Sequence, residues 1–224
     1  MKDFNSIICG NSLEVLKGVE TGQIDLAITD PPYGVRYKDR TGRSVRNDDD
    51  LNAVLPVFAE LYRAMRPNSF CISFYGWNRV DEFMKAWKDA GFTVAGHIVW
   101  TKDYNSRTGV VKYHHEQAYV LAKGRPQRPA QPIADVQPWT RTGNRAHPTE
   151  KAVESLQPLI RAFSKRGDLV CDPFSGSGST SVAAALSGRR YLGIELEEKY
   201  CAHARQRLAG VGRYLQTRTS KIAA

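Results

Sequence analysis

Two short segments hold residue types that could do chemistry together. The first is Asp30-Pro-Pro-Tyr33, directly after the apolar run Ile24–Thr29. Two successive prolines lack ladder donors, so they stop a strand and leave carbonyls, notably that of Pro32, without internal partners. An acid on one side and an aromatic face on the other make a slot for a flat group bearing an NH2. Asp30 and the Pro32 carbonyl can both accept from that amine while Tyr33 stacks on the ring. The second segment is Asp172-Pro-Phe-Ser-Gly-Ser-Gly178. Gly176 and Gly178 allow a tight backbone cradle between a strand and the N-terminus of a helix. Glu195, 17 residues beyond Gly178, ends the next strand, where an acid is placed to accept from ribose hydroxyls. Other chemistries are excluded. Ser181 replaces the third glycine of the dinucleotide fingerprint, no Gly-Lys-Ser/Thr follows, and no serine has glycine two residues away on both sides. His114 and His115 are adjacent, so on a strand they point to opposite faces, and no metal site is expected.

These groups need elements to hold them. Ile24–Thr29 reads as a buried strand, and the apolar spacing of Leu51 to Met65 predicts a helix ended by Arg66-Pro67-Asn68. Strands are expected at Ser69–Tyr75, His97–Thr101, Gln117–Ala122, Asp168–Cys171 and Arg190–Glu195. Helices are expected at Val80–Ala90, closed by Gly91, and at Lys151–Ser164, Thr180–Leu186 and Glu197–Leu208. Such alternation predicts a doubly wound α/β sheet, parallel for the most part, with helices on both faces. Ligands of these sheets sit at the carboxyl ends of strands, which singles out Asp30–Tyr33, Asp172–Gly178 and Glu195. Lys123 to Pro148 differs: it is rich in proline and basic residues and poor in apolar ones, a long polar connection of a functional or disordered kind.

Composition sets the frame. The 224 residues carry 32 Lys+Arg against 23 Asp+Glu, a net charge of +9, which suggests a polyanionic partner. With 42% hydrophobic residues, disorder throughout is excluded, and the length suits one domain over residues 1–224. No apolar run is long enough for a signal peptide or a membrane span, and the four cysteines stand far apart with no CxxC pair. A cytoplasmic protein with reduced thiols and no membrane partner is the expectation.

Taken together and in this order, Asp30-Pro-Pro-Tyr33, His147-Pro-Thr-Glu-Lys151 and Asp172-Pro-Phe-Ser-Gly-Ser-Gly178 resemble the motifs of the β group of S-adenosylmethionine-dependent DNA amino-methyltransferases, the N6-adenine and N4-cytosine enzymes. The resemblance implies a Rossmann-like, seven-stranded, mostly parallel sheet with one antiparallel strand, the catalytic motif preceding the cofactor motif. It implies S-adenosyl-L-methionine as cofactor, held by Asp172, Phe174, Ser175, Gly176 and Gly178. Glu195 would take the ribose, and His147, Thr149 and Lys151 the amino-acid end. Asp30, Pro31, Pro32 and Tyr33 would hold the target base, Asp30 also facing the cofactor. An aspartate-led motif usually accompanies adenine, so the implied reaction is adenine-N6 methylation of DNA. N4-cytosine methylation, RNA adenine methylation and a non-catalytic nucleic-acid-binding relative are the alternatives. Asn11 stands where relatives commonly carry an acid near the cofactor; an amide can still accept one hydrogen bond.

The positive charge suggests where DNA would lie. Arg36, Lys38, Arg40, Arg43 and Arg46 follow the catalytic motif in a loop over residues 36–50, suited to phosphate contacts. Residues 123–146, with Arg141 and Arg145, fill the slot where relatives place target recognition, and Trp139 is the tryptophan placed to stack on a base, the others reading mostly as core. The stretch is short, so specificity is loose, confined to a short sequence, or shared with a second copy in a homodimer. After Glu198 no acid occurs, and Lys199, Arg205, Arg207, Arg213, Arg218 and Lys221 form either a DNA-contacting tail or a frayed end.

Overall fold

In a computed structural model the protein is described over residues 4–35, 42, 48–105, 109–140 and 150–222. Among these residues eight strands form one sheet: β1 Ser6–Cys9, β2 Ile24–Thr29, β3 Met65–Phe74, β4 Thr93–Thr101, β5 His115–Lys123, β6 Val136–Pro138, β7 Leu169–Asp172 and β8 Arg190–Glu195. Their spatial order is β1-β8-β7-β2-β3-β5-β4-β6. Every neighbouring pair is parallel except β3–β5 and β4–β5, so β5 alone runs against the rest. The one antiparallel strand agrees with expectation, whereas the count of seven is corrected to eight. The addition is β6, inside the connection read as long and polar. It pairs with β4 over only three residues and ends in Pro138, which an edge strand tolerates because its outer side needs no donor.

Six helices among the described residues cover the sheet: α1 Ser12–Lys17, α2 Val57–Ala64, α3 Val80–Ala90, α4 Val153–Phe163, α5 Ser179–Leu186 and α6 Glu198–Ile222. On one face Leu16, Phe58, Leu61, Phe83 and Trp87 from α1, α2 and α3 pack against Ile24 and Ala27. On the other, Leu156, Leu159, Ile160, Ala183 and Ala184 from α4 and α5 pack against Leu26 and Ile28. Adjacent β2 residues thus feed opposite cores, as in a strand buried on both sides. The helix expected over Leu51–Met65 is shorter. Pro56 occupies the N-cap of α2, and Leu51–Ala53 before it makes only a 3-10 turn. Met65, Arg66 and Pro67 already belong to β3, where a register shift and the left-handed Asn68 accommodate them. α3 runs as expected and is closed by Gly91 at φ 104°. The acid-free tail is helical to Ile222.

From β2 the chain passes to β3 on one side, and from β7 to β8 on the other. The strand order therefore reverses between β2 and β7, and a crevice opens there at the carboxyl edge.

Candidate active site

Asp30 leaves the end of β2 and Asp172 ends β7, so both acids stand at the crevice where the strand order reverses. With Thr29, Phe74, Lys151 and Ser175 they line a small, partly open cleft. Asp30 is engaged on both oxygens. The Tyr33 hydroxyl donates to Oδ1, and the Lys151 ammonium pairs with Oδ2. Burial pushes the Tyr33 phenol well above its ordinary range, reinforced by the Asp30 charge, so it stays a donor. Burial alone would lower the Lys151 ammonium, but Asp30 and Glu116 outweigh it and its pKa is raised. The ammonium also lies 4.8 Å from the Phe74 ring centroid and 5.9 Å from that of Trp139.

The turn carrying Pro31 to Tyr33 is held by a residue that the motif does not reveal. Oδ1 of Asp48 accepts from the backbone amides of Tyr33 at 2.7 Å, Gly34 at 2.9 Å and Val35 at 3.4 Å. Asp48 is buried, and one carboxylate satisfying several amides fixes the catalytic turn from behind. The only signal in the sequence is the Asp48-Asp-Asp50 run, which reads equally well as a solvated surface.

The glycine-rich turn is tied on three sides. Gly178 adopts φ +80°, and a Cβ there would lie 2.7 Å from Ala204 Cβ on α6, so both conformation and space require glycine. Glu195 Oε2 accepts from the Gly176 amide at 2.9 Å and Oε1 from that of Glu197 at 2.8 Å. Arg207 Nη1 donates to the Ser177 carbonyl at 2.8 Å and pairs with Glu150 at 3.2 Å. Asp172 is buried, accepts from the Phe174 amide at 3.1 Å, and has its pKa pushed up to about 7. Burial is the main cause, with Asp30 and Glu195 adding to it against hydrogen bonds from Thr180 and Phe174. Glu195 is raised as well, again by burial.

Two hydroxyls in the cleft wall, Thr29 Oγ1 and Ser175 Oγ, are buried and find no partner among the described residues. Buried polar groups are ordinarily satisfied, so such a pair fits a ligand with polar groups of its own. A cleft bearing Asp30, Asp172, Phe74 and Phe174 also favours a cation.

Other predicted residues are placed differently. Asn11 caps α1, its Oδ1 accepting from Leu13 at 2.9 Å and Glu14 at 3.4 Å, while Gly10 beside it donates to the Glu195 carbonyl. Trp139 is half-buried, with the Lys102 and Lys151 ammoniums 5.4 and 5.9 Å from its ring. Trp87 and Trp100 are core, but Trp77 is 56% exposed, contrary to its reading as core. Lys123 donates to the Tyr62 and Met65 carbonyls, both at 2.6 Å, and the Arg125 amide to Asn68 Oδ1 at 2.8 Å. The first part of the 123–146 connection therefore sits where β3 begins, at the sheet edge opposite Asp30. Arg205 donates to the Ile7 carbonyl and pairs with Glu198, so it and Arg207 are structural rather than part of a free basic tail. Cys9 at the end of β1 meets Glu198 and Cys201 of α6, their ligand-capable atoms within 4.8 Å of one another; burial pushes the Cys201 thiol up to about 12. His147, Thr149, Arg36, Lys38, Arg40, Arg43, Arg46, Arg141 and Arg145 lie outside the described residues.

Fold and site define a doubly wound α/β protein with an acid-lined cleft at its switch point. The fold is that of the M1.HpyAVI–SAM complex, matched with a TM-score of 0.72 over 91% of this chain and 98% of that one at 22% identity. The chain belongs to the DNA methylase family of N6 and N4 methyltransferases, which it matches over residues 24–206. It is 51% identical to YubD, a methylase-class protein of Escherichia coli (strain K12), over 93% of this chain and 92% of that protein. It is 27% identical to the DNA adenine methyltransferase YhdJ of the same strain, over 97% and 87%.

Proposed function

We propose that the protein transfers a methyl group from S-adenosylmethionine to the N6 amine of adenine in DNA. The observation that carries this reading is the Asp30 carboxylate at the switch point, held by Tyr33 and Lys151 and facing Asp172 across one cleft. S-adenosylmethionine, when bound, supplies a methyl group on a sulfonium that is its own leaving group, so the chain needs no covalent nucleophile. Asp172, Phe174, Ser175, Gly176 and Gly178 would hold it, with Glu195 on the ribose. Thr29 and Ser175 offer hydroxyls unpaired among the described residues, and the acids complement its positive charge.

The chain's own task is to improve a poor nucleophile. The adenine amine is conjugated with its ring, and its lone pair is poorly available. Asp30 and the Pro32 carbonyl accept its two hydrogens, which favours a pyramidal nitrogen and directs the lone pair towards the methyl group. That stabilisation appears mainly in the transition state. Tyr33 and Lys151 fix the carboxylate, and Asp48 fixes the turn, so both reactants meet in line. A base within a duplex cannot reach the cleft and must be flipped or already unpaired. The aspartate-led motif supports adenine over cytosine, as does the likeness to an adenine-specific relative.

The test is tritiated methyl transfer to DNA and to RNA, followed by nucleoside mass spectrometry. N6-methyladenine in DNA is expected, and Asp30→Ala should abolish transfer while cofactor binding stays measurable. N4-methylcytosine as the product, or an active Asp30→Ala protein, would overturn this reading.

A further inference from the structure

Among the described residues, the aromatic side chain most exposed at the catalytic edge is one the motifs do not include. Trp77 opens the 3-10 turn that follows β3, at the same carboxyl edge as Asp30. A Cβ on the preceding Gly76 would stand 2.8 Å from Tyr33 Cβ, so the backbone beside Trp77 lies against the catalytic turn itself. At 56% exposed Trp77 contrasts with Trp87 at 0% and Trp100 at 1%, and its ring is not core. Tyr113 stacks on it from the β4–β5 connection, with centroids 5.7 Å apart and planes 21° from parallel. Because β4 runs parallel to β3, that connection leaves the sheet at this same edge. It also carries Val110 at 103% and Val111 at 58% exposure, with Lys112 exposed beside them.

We propose that Trp77, backed by Tyr113, is a stacking platform for a DNA base next to the methylated one, with Val110 and Val111 at its apolar rim. Drawing one base out of a stack leaves its neighbour with an uncovered face, and an indole held flat by a second ring covers such a face without preference among bases. Tyr113 already fixes the indole plane, so little freedom is lost on binding. The net charge of +9 brings the polyanion to the surface, but charge alone places no base. The proposal rests on DNA as substrate, which the family supplies, and not on adenine over cytosine.

The experiment uses the full chain and mixed-sequence oligodeoxynucleotides, double- and single-stranded. Trp77→Ala and Trp77→Leu should each raise KM for DNA about five- to a hundredfold, the equivalent of one lost base stack. Trp77→Phe should recover most of the loss, and calorimetric affinity for S-adenosylmethionine should stay unchanged in all three. Tryptophan emission of the wild type should be quenched by an ordinary oligonucleotide and far less by one of equal length built from abasic sites; Trp77→Phe should lose that quenching. The leucine variant keeps bulk and apolarity, so it reports on stacking even if the alanine variant folds poorly. Unchanged KM in Trp77→Leu, equal quenching by the abasic oligonucleotide, or a wild-type dimer that Trp77→Leu turns into a monomer would each overturn the platform. N4-methylcytosine in the wild-type product would sink the adenine assignment and leave the platform standing.

Discussion

The raised pKa of Asp172 makes a stability prediction that the sequence motif does not. Its carboxyl moves from 3.8 to about 7, a difference of about three units. At about 1.36 kcal/mol per unit, ionised Asp172 weighs against the empty fold by ~4 kcal/mol. The folded state holds the proton more tightly than the unfolded chain, so the stability tied to it is intact below about pH 4. It declines as pH rises and is gone above about 7. Between pH 5.5 and 7 the decline is ~2 kcal/mol. Asp172→Asn keeps the shape and an oxygen for the Phe174 amide but has no charge to bury. Relative to wild type, the variant should therefore gain ~4–8 °C in Tm on going from pH 5.5 to 8, taking ~2–4 °C per kcal/mol for a chain of this size. The assay is thermal unfolding of both proteins across that range, with and without S-adenosylmethionine. On the proposed reading the cofactor's positive charge favours ionised Asp172. Binding at pH 6 should then release protons, seen as a buffer-dependent heat that Asp172→Asn lacks. A Tm difference that stays flat with pH, together with no proton release, would refute the reasoning.

Asp48→Ala leaves the Tyr33, Gly34 and Val35 amides without their carboxylate; we expect a loss of ~2 kcal/mol in stability and at least a tenfold drop in kcat, measured by denaturant unfolding and single-turnover methyl transfer. Gly178→Ala should cost ~2 kcal/mol or more, from its φ of +80° and the clash with Ala204 Cβ, and adding Ala204→Gly should recover the part due to the clash, read from urea midpoints. Arg207→Ala should weaken cofactor binding by loosening the glycine-rich turn, yet leave the slope of log Kd for DNA against log salt unchanged; a shallower slope would return Arg207 to the DNA-contacting residues.

How much was legible follows from where each element gets its stability. α3 and β8 carry their own periodicity and stops, and their observed bounds match those expected. The catalytic and cofactor motifs are local in sequence and end central strands, so topology alone brings Asp30 and Asp172 to one crevice. Elements that depend on neighbours were hidden. β1 has four residues, and α1 has six, begun by the side-chain cap of Asn11 that also explains why an amide serves at that position. β6 is three residues ending in proline and exists only because β4 offers an open edge. The buried charges were hidden for the same reason. Nothing local distinguishes Asp48 from Asp49, or indicates that Lys102 pairs with Glu116 under Trp139.

The positive charge changes most in meaning. Read along the chain, basic residues mark nucleic-acid contacts; in the fold, many of them satisfy backbone carbonyls instead. Arg63 serves Leu16 and Val19, Lys123 serves Tyr62 and Met65, Arg189 serves Ser164 and Ser187, Arg205 serves Ile7 and Arg207 serves Ser177. A guanidinium or ammonium locked on carbonyls still adds to the field that attracts a polyanion, but it cannot also swing out to a phosphate. Net charge therefore accounts for encounter and not for register. Register at the cleft must come from groups that meet the base itself, which is why an exposed indole one residue from the backbone under Tyr33 carries more of the argument than another arginine would.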